Sequence, residues 1–208
     1  MLKTCYYIIM IIPDDMIIHT AKIFNGEYNI DYNNANPVIL DIGANIGGFA
    51  RWANYRWPNS KIHCYEPVKN TFEILKANTL DVKNLEINNV AIGKKKEKKK
   101  IYYGKNNIGE ASLIQGEEQR EDGETIDVFP GSKLPKADIV KIDTEGYEVE
   151  ILSAITFQPD IFLIEYHSAE NRRFIDSHLS DYVLLSLDMT DYNYGIAKYA
   201  KKSLFSQN

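Results

Sequence analysis

Five chemically capable side chains stand where apolar runs stop. Asp41 ends VIL, Glu66 ends HCY, Asp143 ends IVKI, and Glu165 and His167 end the run IFLIEYH. Glu66 can accept from both hydroxyls of a ribose, because its two oxygens carry the needed lone pairs. Asp143 follows buried-type residues, so its charge needs a partner. Glu165 and His167 are two residues apart on an extended segment and point to one face. A histidine with its ordinary pKa of about 6.5 suits proton removal near neutrality, with Asp143 or Glu165 as the second choice. His167 could also simply end a strand. Asp143, Glu165 and His167 together could instead hold a divalent metal, a less favoured reading of the same oxygen and imidazole donors.

The segment ILDIGANIGG adds a second signal. Gly43, Gly47 and Gly48 allow a sharp turn and a close backbone approach to a ligand. Such a turn also binds dinucleotides, but that fingerprint wants glycine where Asn45 stands. Asp41 would repel a pyrophosphate and suits a cationic ligand. A positively charged nucleoside without phosphate fits better than a dinucleotide, although Glu66 serves either. Pro67 stiffens the exit from the Glu66 strand. In NNVAIG, small residues such as Ala91 leave room for a flat base, whose edge Asn89 or the backbone of 90–92 could read. Glu145 and Glu148 flank Gly146 where a helix should begin, and Glu148 suits the helix dipole better than catalysis.

These residues require an alternating α/β chain to position them. Continuous apolar runs predict strands at 38–44, 61–67, 85–93, 137–143 and 160–167, and helical spacing predicts helices at 47–56, 68–80, 148–155 and 169–179. YVLLSLDM and YGIAKYA predict two strands joined by a polar turn at 190–193. The alternation implies a mostly parallel sheet with helices on both faces and one antiparallel strand at the end. Residues 94–136 break the rhythm and predict a hairpin or loop excursion over the strand ends. Residues 1–37 are expected to cover the core, leaving 38–208 as a single domain.

Length and charge set the outer limits. The 208 residues suit one core, and 44% hydrophobic with 25% charged residues indicates an ordinary globular chain. A net charge of −5 argues against a protein devoted to gripping phosphate backbones. The lysine run at 94–100 is expected at a solvated edge. Cys5 and Cys64 have no metal or redox spacing, and a buried Cys64 fits a reducing cytoplasm. The apolar run at 5–12 is short and is followed by Pro13, so a leader or membrane span is not expected.

Taken together, ILDIGANIGGFA, CYEPVKNTFEILKAN, NVAIG, ASL, VKIDTEGYEVEIL and LIEYH resemble, in order, the motifs of the FkbM family of methyltransferases. The resemblance spans roughly residues 26–167. It implies the Rossmann-like class I methyltransferase fold, with S-adenosylmethionine as methyl donor. It further implies that Asp41, Gly43, Asn45, Gly47 and Glu66 line the donor site and that Asp143 lies near its methionine end. The acceptor implied is a small molecule or glycan bearing a hydroxyl. DTEG stands where enzymes methylating nucleobase amino groups carry an Asn/Asp-Pro-Pro-aromatic turn, which disfavours that chemistry. An RNA methyltransferase, a nicotinamide-dependent oxidoreductase and a non-catalytic nucleoside- or RNA-binding module remain the alternatives.

Overall fold

The computed structural model describes residues 10–105, 110–115 and 119–205. Most of the apolar run at 5–12, including Cys5, lies outside the described residues. Seven strands form the main sheet: β1 (Val38–Ile42), β2 (Lys61–Tyr65), β3 (Leu85–Asn88), β7 (Ile139–Ile142), β8 (Ile161–Tyr166), β9 (Tyr182–Met189) and β10 (Gly195–Lys201). Their order is β3-β2-β1-β7-β8-β10-β9. β1, β2, β3, β7 and β8 run parallel, while β10 is antiparallel to both β8 and β9. The antiparallel strand expected at the end of the chain is therefore β10, set inside the sheet, with β9 at its edge.

The central strands are apolar throughout because both faces are covered. Ile39 packs with α2 (Gly48–Arg56) and α3 (Lys69–Asn78), whereas its neighbour Leu40 packs with α4 (Glu148–Ala154) and α5 (Ala169–His178). The two-residue alternation of a strand thus feeds two separate cores. Helix α1 (Ile17–Phe24) joins the first face through Ile23, and Tyr28 follows it into an edge-to-face contact with Phe49 and a tilted one with Trp52. Burying aromatic side chains of this size stabilises by roughly 1.5–3 kcal/mol each.

The single strand expected at 85–93 is two. β3 stays in the main sheet, and the chain leaves it at Asn89, whose Nδ2 donates to the Glu66 and Pro67 carbonyls at 2.9 and 3.0 Å. β4 (Ala91–Gly93) then joins a second sheet with β5 (Glu97–Gly104) and β6 (Gln119–Pro130), in the order β4-β6-β5. The excursion is thus a small sheet built on an antiparallel hairpin. It sits over the carboxyl ends of the main strands: Glu124 accepts from the Lys69 backbone, and Ser112 Oγ donates to the Glu145 carbonyl at 2.6 Å. Lys94, Lys95, Lys96, Lys98 and Lys100 are exposed at its edge, and Lys98 lies 3.0 Å from Asp127. No helix among the described residues is long and apolar enough to cross a membrane.

Candidate active site

The turn after β1 is fixed by steric necessity. Gly43 has φ +78°, and a Cβ there would lie 1.7 Å from the Asp143 carbonyl oxygen. Only glycine lets the β1 and β7 exits approach this closely. Asn45 follows at φ +49°, and its N–H donates to Glu66 Oε2 at 2.9 Å. The other oxygen of Glu66 accepts from the Val68 N–H at 2.9 Å. Burial raises the Glu66 pKa to about 7 against these two hydrogen bonds. Glu66 therefore ties the first loop to the second and still keeps a lone pair on each oxygen.

A cavity opens at the carboxyl ends of β1, β2, β7 and β8, under α1 and the small sheet. The first loop borders it through residues 43–46, the second through Glu66, Pro67 and Val68, and the exit of β3 through Val90, Ala91 and Ile92. Asp143, Glu145 and Glu165 close the far end. Of the residues expected to meet a donor, Gly43, Asn45, Glu66, Pro67, Ala91 and Asp143 line this cavity. Asp41, Gly47 and Asn89 do not. Asn89 is occupied with the backbone of the Glu66 loop, and Gly47 packs beside Leu75 and Thr79.

Asp41 is fully buried and faces Lys141, its register partner on β7, at 3.3 Å. The expectation that Asp41 meets a cationic ligand thus gives way to an internal ion pair. Lys141 also lies 3.4 Å from Asp143 and donates to the Gly43 carbonyl at 2.6 Å. This lysine is the partner that the half-buried Asp143 required. Burial alone would lower the Lys141 pKa, but Asp143 and Asp41 outweigh it and raise it. Removing one member of such a buried pair costs about 3–5 kcal/mol, because the other is left uncompensated.

Asp143, Glu165 and His167 do come together, with their ligating atoms within 4.8 Å of one another. Burial disfavours the Asp143 charge, yet Lys141 and His167 hold its pKa below the usual carboxylate value. Glu165 goes the other way: burial first, then the Asp143 charge, push its carboxyl well up. Oxygens of the two carboxyls lie within 4.8 Å of each other. Like charges this close push their pKa values apart, and Asp143 is the more readily ionised of the two. The hydroxyls of Tyr28, at 3.4 Å, and of Tyr194 also donate to Glu165.

His167, expected as the proton acceptor, is held differently. Its Nδ1 lies 3.0 Å from Glu148 and its Nε2 3.3 Å from Glu145. Burial opposes the charge, but Glu148 and Glu145 overcome it and raise the pKa to about 10. Near neutrality the ring is an imidazolium with no lone pair to offer a proton. Glu148, expected as a simple helix-dipole acid, is fully buried. It also accepts from the Gly146 N–H at 2.8 Å and Asn171 Nδ2 at 2.9 Å, pinning the loop after β7.

Lys141, Tyr28 and Tyr194 escaped the sequence reading. Lys141 had a legible signal, a lysine inside an otherwise apolar strand two residues before Asp143. Tyr28 and Tyr194 had none, since they arrive from opposite ends of the chain.

A seven-stranded sheet in this order, with β10 reversed and a cavity at the strand ends, defines a Rossmann-like class I methyltransferase fold. Residues 41–194 match the methyltransferase FkbM domain, and the chain belongs to that family. It is 26% identical over 197 residues to methyltransferase sdnD of Sordaria araneosa, covering 74% of this chain and 73% of that one. Among solved structures it resembles methyltransferase FkbM of Methylobacillus flagellatus, with TM-score 0.57 and 16% identity, over 86% of this chain. It spans only 47% of that longer chain. It also resembles a precorrin-6y C5,15-methyltransferase of Geobacter metallireducens, with TM-score 0.53, 14% identity, and 92% and 94% of the two chains covered. Fibrillarin of Methanococcus jannaschii has TM-score 0.53 and 9% identity, with 88% and 74% covered. At these identities the structural likenesses establish the fold alone.

Proposed function

We propose that the protein is an S-adenosylmethionine-dependent O-methyltransferase acting on a small hydroxylated acceptor such as a sugar or glycan. The observation that carries this reading is the Asp143–Glu165 carboxyl pair, closing the far end of the cavity at the strand ends. The cavity suits the donor. The buried Asn45 Oδ1 has no hydrogen-bond partner, Glu66 keeps free lone pairs, and Val90, Ala91 and Val68 form an apolar slot for a base. When bound, S-adenosylmethionine supplies a methyl group on a positively charged sulfur.

Glu66 would hold the ribose hydroxyls, and Asn45 the edge of the first loop. Asp143, ionised beside Lys141, would face the methionine end. The acceptor hydroxyl loses its proton as its oxygen takes the methyl group, and the carboxyl pair receives that proton. The proton neutralises one carboxylate charge of the pair, which offsets the positive charge lost from sulfur. The proton-accepting role first considered for His167 thus passes to Asp143 and Glu165, while His167 positions the loop carrying Glu145. Lys141 and His167 already place positive charge against these carboxyls, which favours proton transfer over a divalent metal at the same three side chains.

RNA as acceptor gains no support from the surface. Two lysines of the run already face acids, Lys95 at 3.4 Å from Glu97 and Lys98 at 3.0 Å from Asp127 on the neighbouring strand. The test uses a panel of glycosides and hydroxylated natural-product cores, following S-adenosylhomocysteine release and methyl gain on oxygen. Asp143→Asn and Glu165→Gln should each lower turnover about 10²–10⁴-fold. Glu165→Gln should leave donor affinity within a few-fold, and chelator should leave the rate unchanged. Near-normal turnover in both variants would remove the pair from the chemistry, and chelator-sensitive activity restored by magnesium would favour the metal.

A further inference from the structure

Thr71 belongs to the first turn of α3 and is 2% exposed. Its Oγ1 is shut off from solvent and has no hydrogen-bond partner among the described residues. A threonine hydroxyl inside a helix commonly turns back to the carbonyl one turn earlier. Thr79, at the end of the same helix, does so and donates to the Leu75 carbonyl at 2.7 Å. Thr71 does not. Leaving a buried hydroxyl unpaired destabilises the empty protein, because the water it gave up is not replaced.

Position sets this hydroxyl apart. Ser60 and Ser186 also hold buried, unpartnered hydroxyls, but of the three only Thr71 lines the cavity at the strand ends. One turn before it stands Val68, packed with Ala91 and Ile101, which line the same cavity. One turn after it stands Leu75, which packs beside Gly47 at the start of α2. Thr71 therefore sits on the α3 wall between the slot proposed for the base and the first loop. Glu66 precedes this helix, and the buried Asn45 Oδ1, also unpartnered, borders the same cavity. Glu66 and Asn45 Oδ1 offer acceptors, while a hydroxyl both donates and accepts. Together they match the hydroxyls and ring atoms of a nucleoside.

We infer that Thr71 is a donor-positioning residue whose hydroxyl hydrogen-bonds to the nucleoside half of the bound donor. The inference rests on the S-adenosylmethionine reading for the identity of that donor. Calorimetry and thermal unfolding of the full chain test it, with S-adenosylhomocysteine and methylthioadenosine, which lacks the amino-acid half, as probes. Thr71→Val keeps the shape and removes the hydroxyl. It should weaken both probes equally, by about three- to tenfold, as the loss of one hydrogen bond does. Without ligand it should melt about 2–4 °C higher than the wild type, because an unpaired buried hydroxyl has gone. Thr71→Ser keeps the hydroxyl and should bind both probes within about twofold of the wild type. A role in packing alone predicts the reverse order, with Thr71→Val binding normally and Thr71→Ser, short of a methyl, binding worse. Normal binding of S-adenosylhomocysteine by Thr71→Val, a loss confined to S-adenosylhomocysteine, or a lower melting temperature for ligand-free Thr71→Val would overturn the inference. A wild-type protein that binds neither probe would instead sink the donor reading itself.

Discussion

His167 shows how a neighbourhood redefines a side chain. Alone, its type and position suggested a base, but Glu148 and Glu145 at 3.0 and 3.3 Å make it a cation with a pKa of about 10. A folded pKa above the ordinary 6.5 means that the native state binds its proton more tightly than the unfolded chain. The resulting stability is full below about pH 6.5 and is lost as pH rises through about 10. Urea unfolding between pH 7 and 10.5 should therefore show wild-type stability falling with pH, and His167→Gln should flatten that slope. Equal slopes would mean that the ring is uncharged in the native protein. The acids Asp41, Glu66, Asp143 and Glu165 were legible in the sequence because each ends an apolar run. Their partners were not, since Asp41–Lys141 and Glu165–Tyr28 form only when separate strands and loops converge.

At the scale of elements, the loops after β1 and β7 are built as one unit. The Gly43 turn and the DTEG turn cross so tightly that a single methyl at Gly43 would overlap the Asp143 carbonyl at 1.7 Å. Gly146 in the second turn has φ +102° but open space, with Ile114 Cδ1 at 3.7 Å as its neighbour. Gly43→Ala should thus abolish folding or destabilise by more than about 4 kcal/mol, the range of severe single substitutions. Gly146→Ala should cost about 1–2 kcal/mol, the strain of a left-handed backbone. Thermal and urea unfolding of the two variants check this, and similar losses would contradict the crossing geometry. The strands and helices of the main sheet were readable from apolar runs and helical spacing. The split of 85–93 into β3 and β4 was not, because both halves are apolar and only their pairing partners, β2 and β6, distinguish them.

Across the whole molecule, two layers of helices bury both faces of the sheet, so the open end of the strands is where ligands can reach the centre. Residues between Met16 and Tyr28 from one end of the chain and Tyr194 from the other close that opening, which explains why the middle of the sequence alone did not outline the site. The small sheet covers one side through Ile101, and the β9–β10 turn covers the other through Tyr194. This arrangement has meaning only if the cavity takes the donor nucleoside with Glu66 on its ribose. Calorimetric titration with S-adenosylhomocysteine tests that most directly. The wild-type protein should bind with a dissociation constant on the order of micromolar, and Glu66→Ala should weaken binding by about 1–3 kcal/mol through lost hydrogen bonds. No binding by the wild type, or equal binding by the folded variant, would contradict the account.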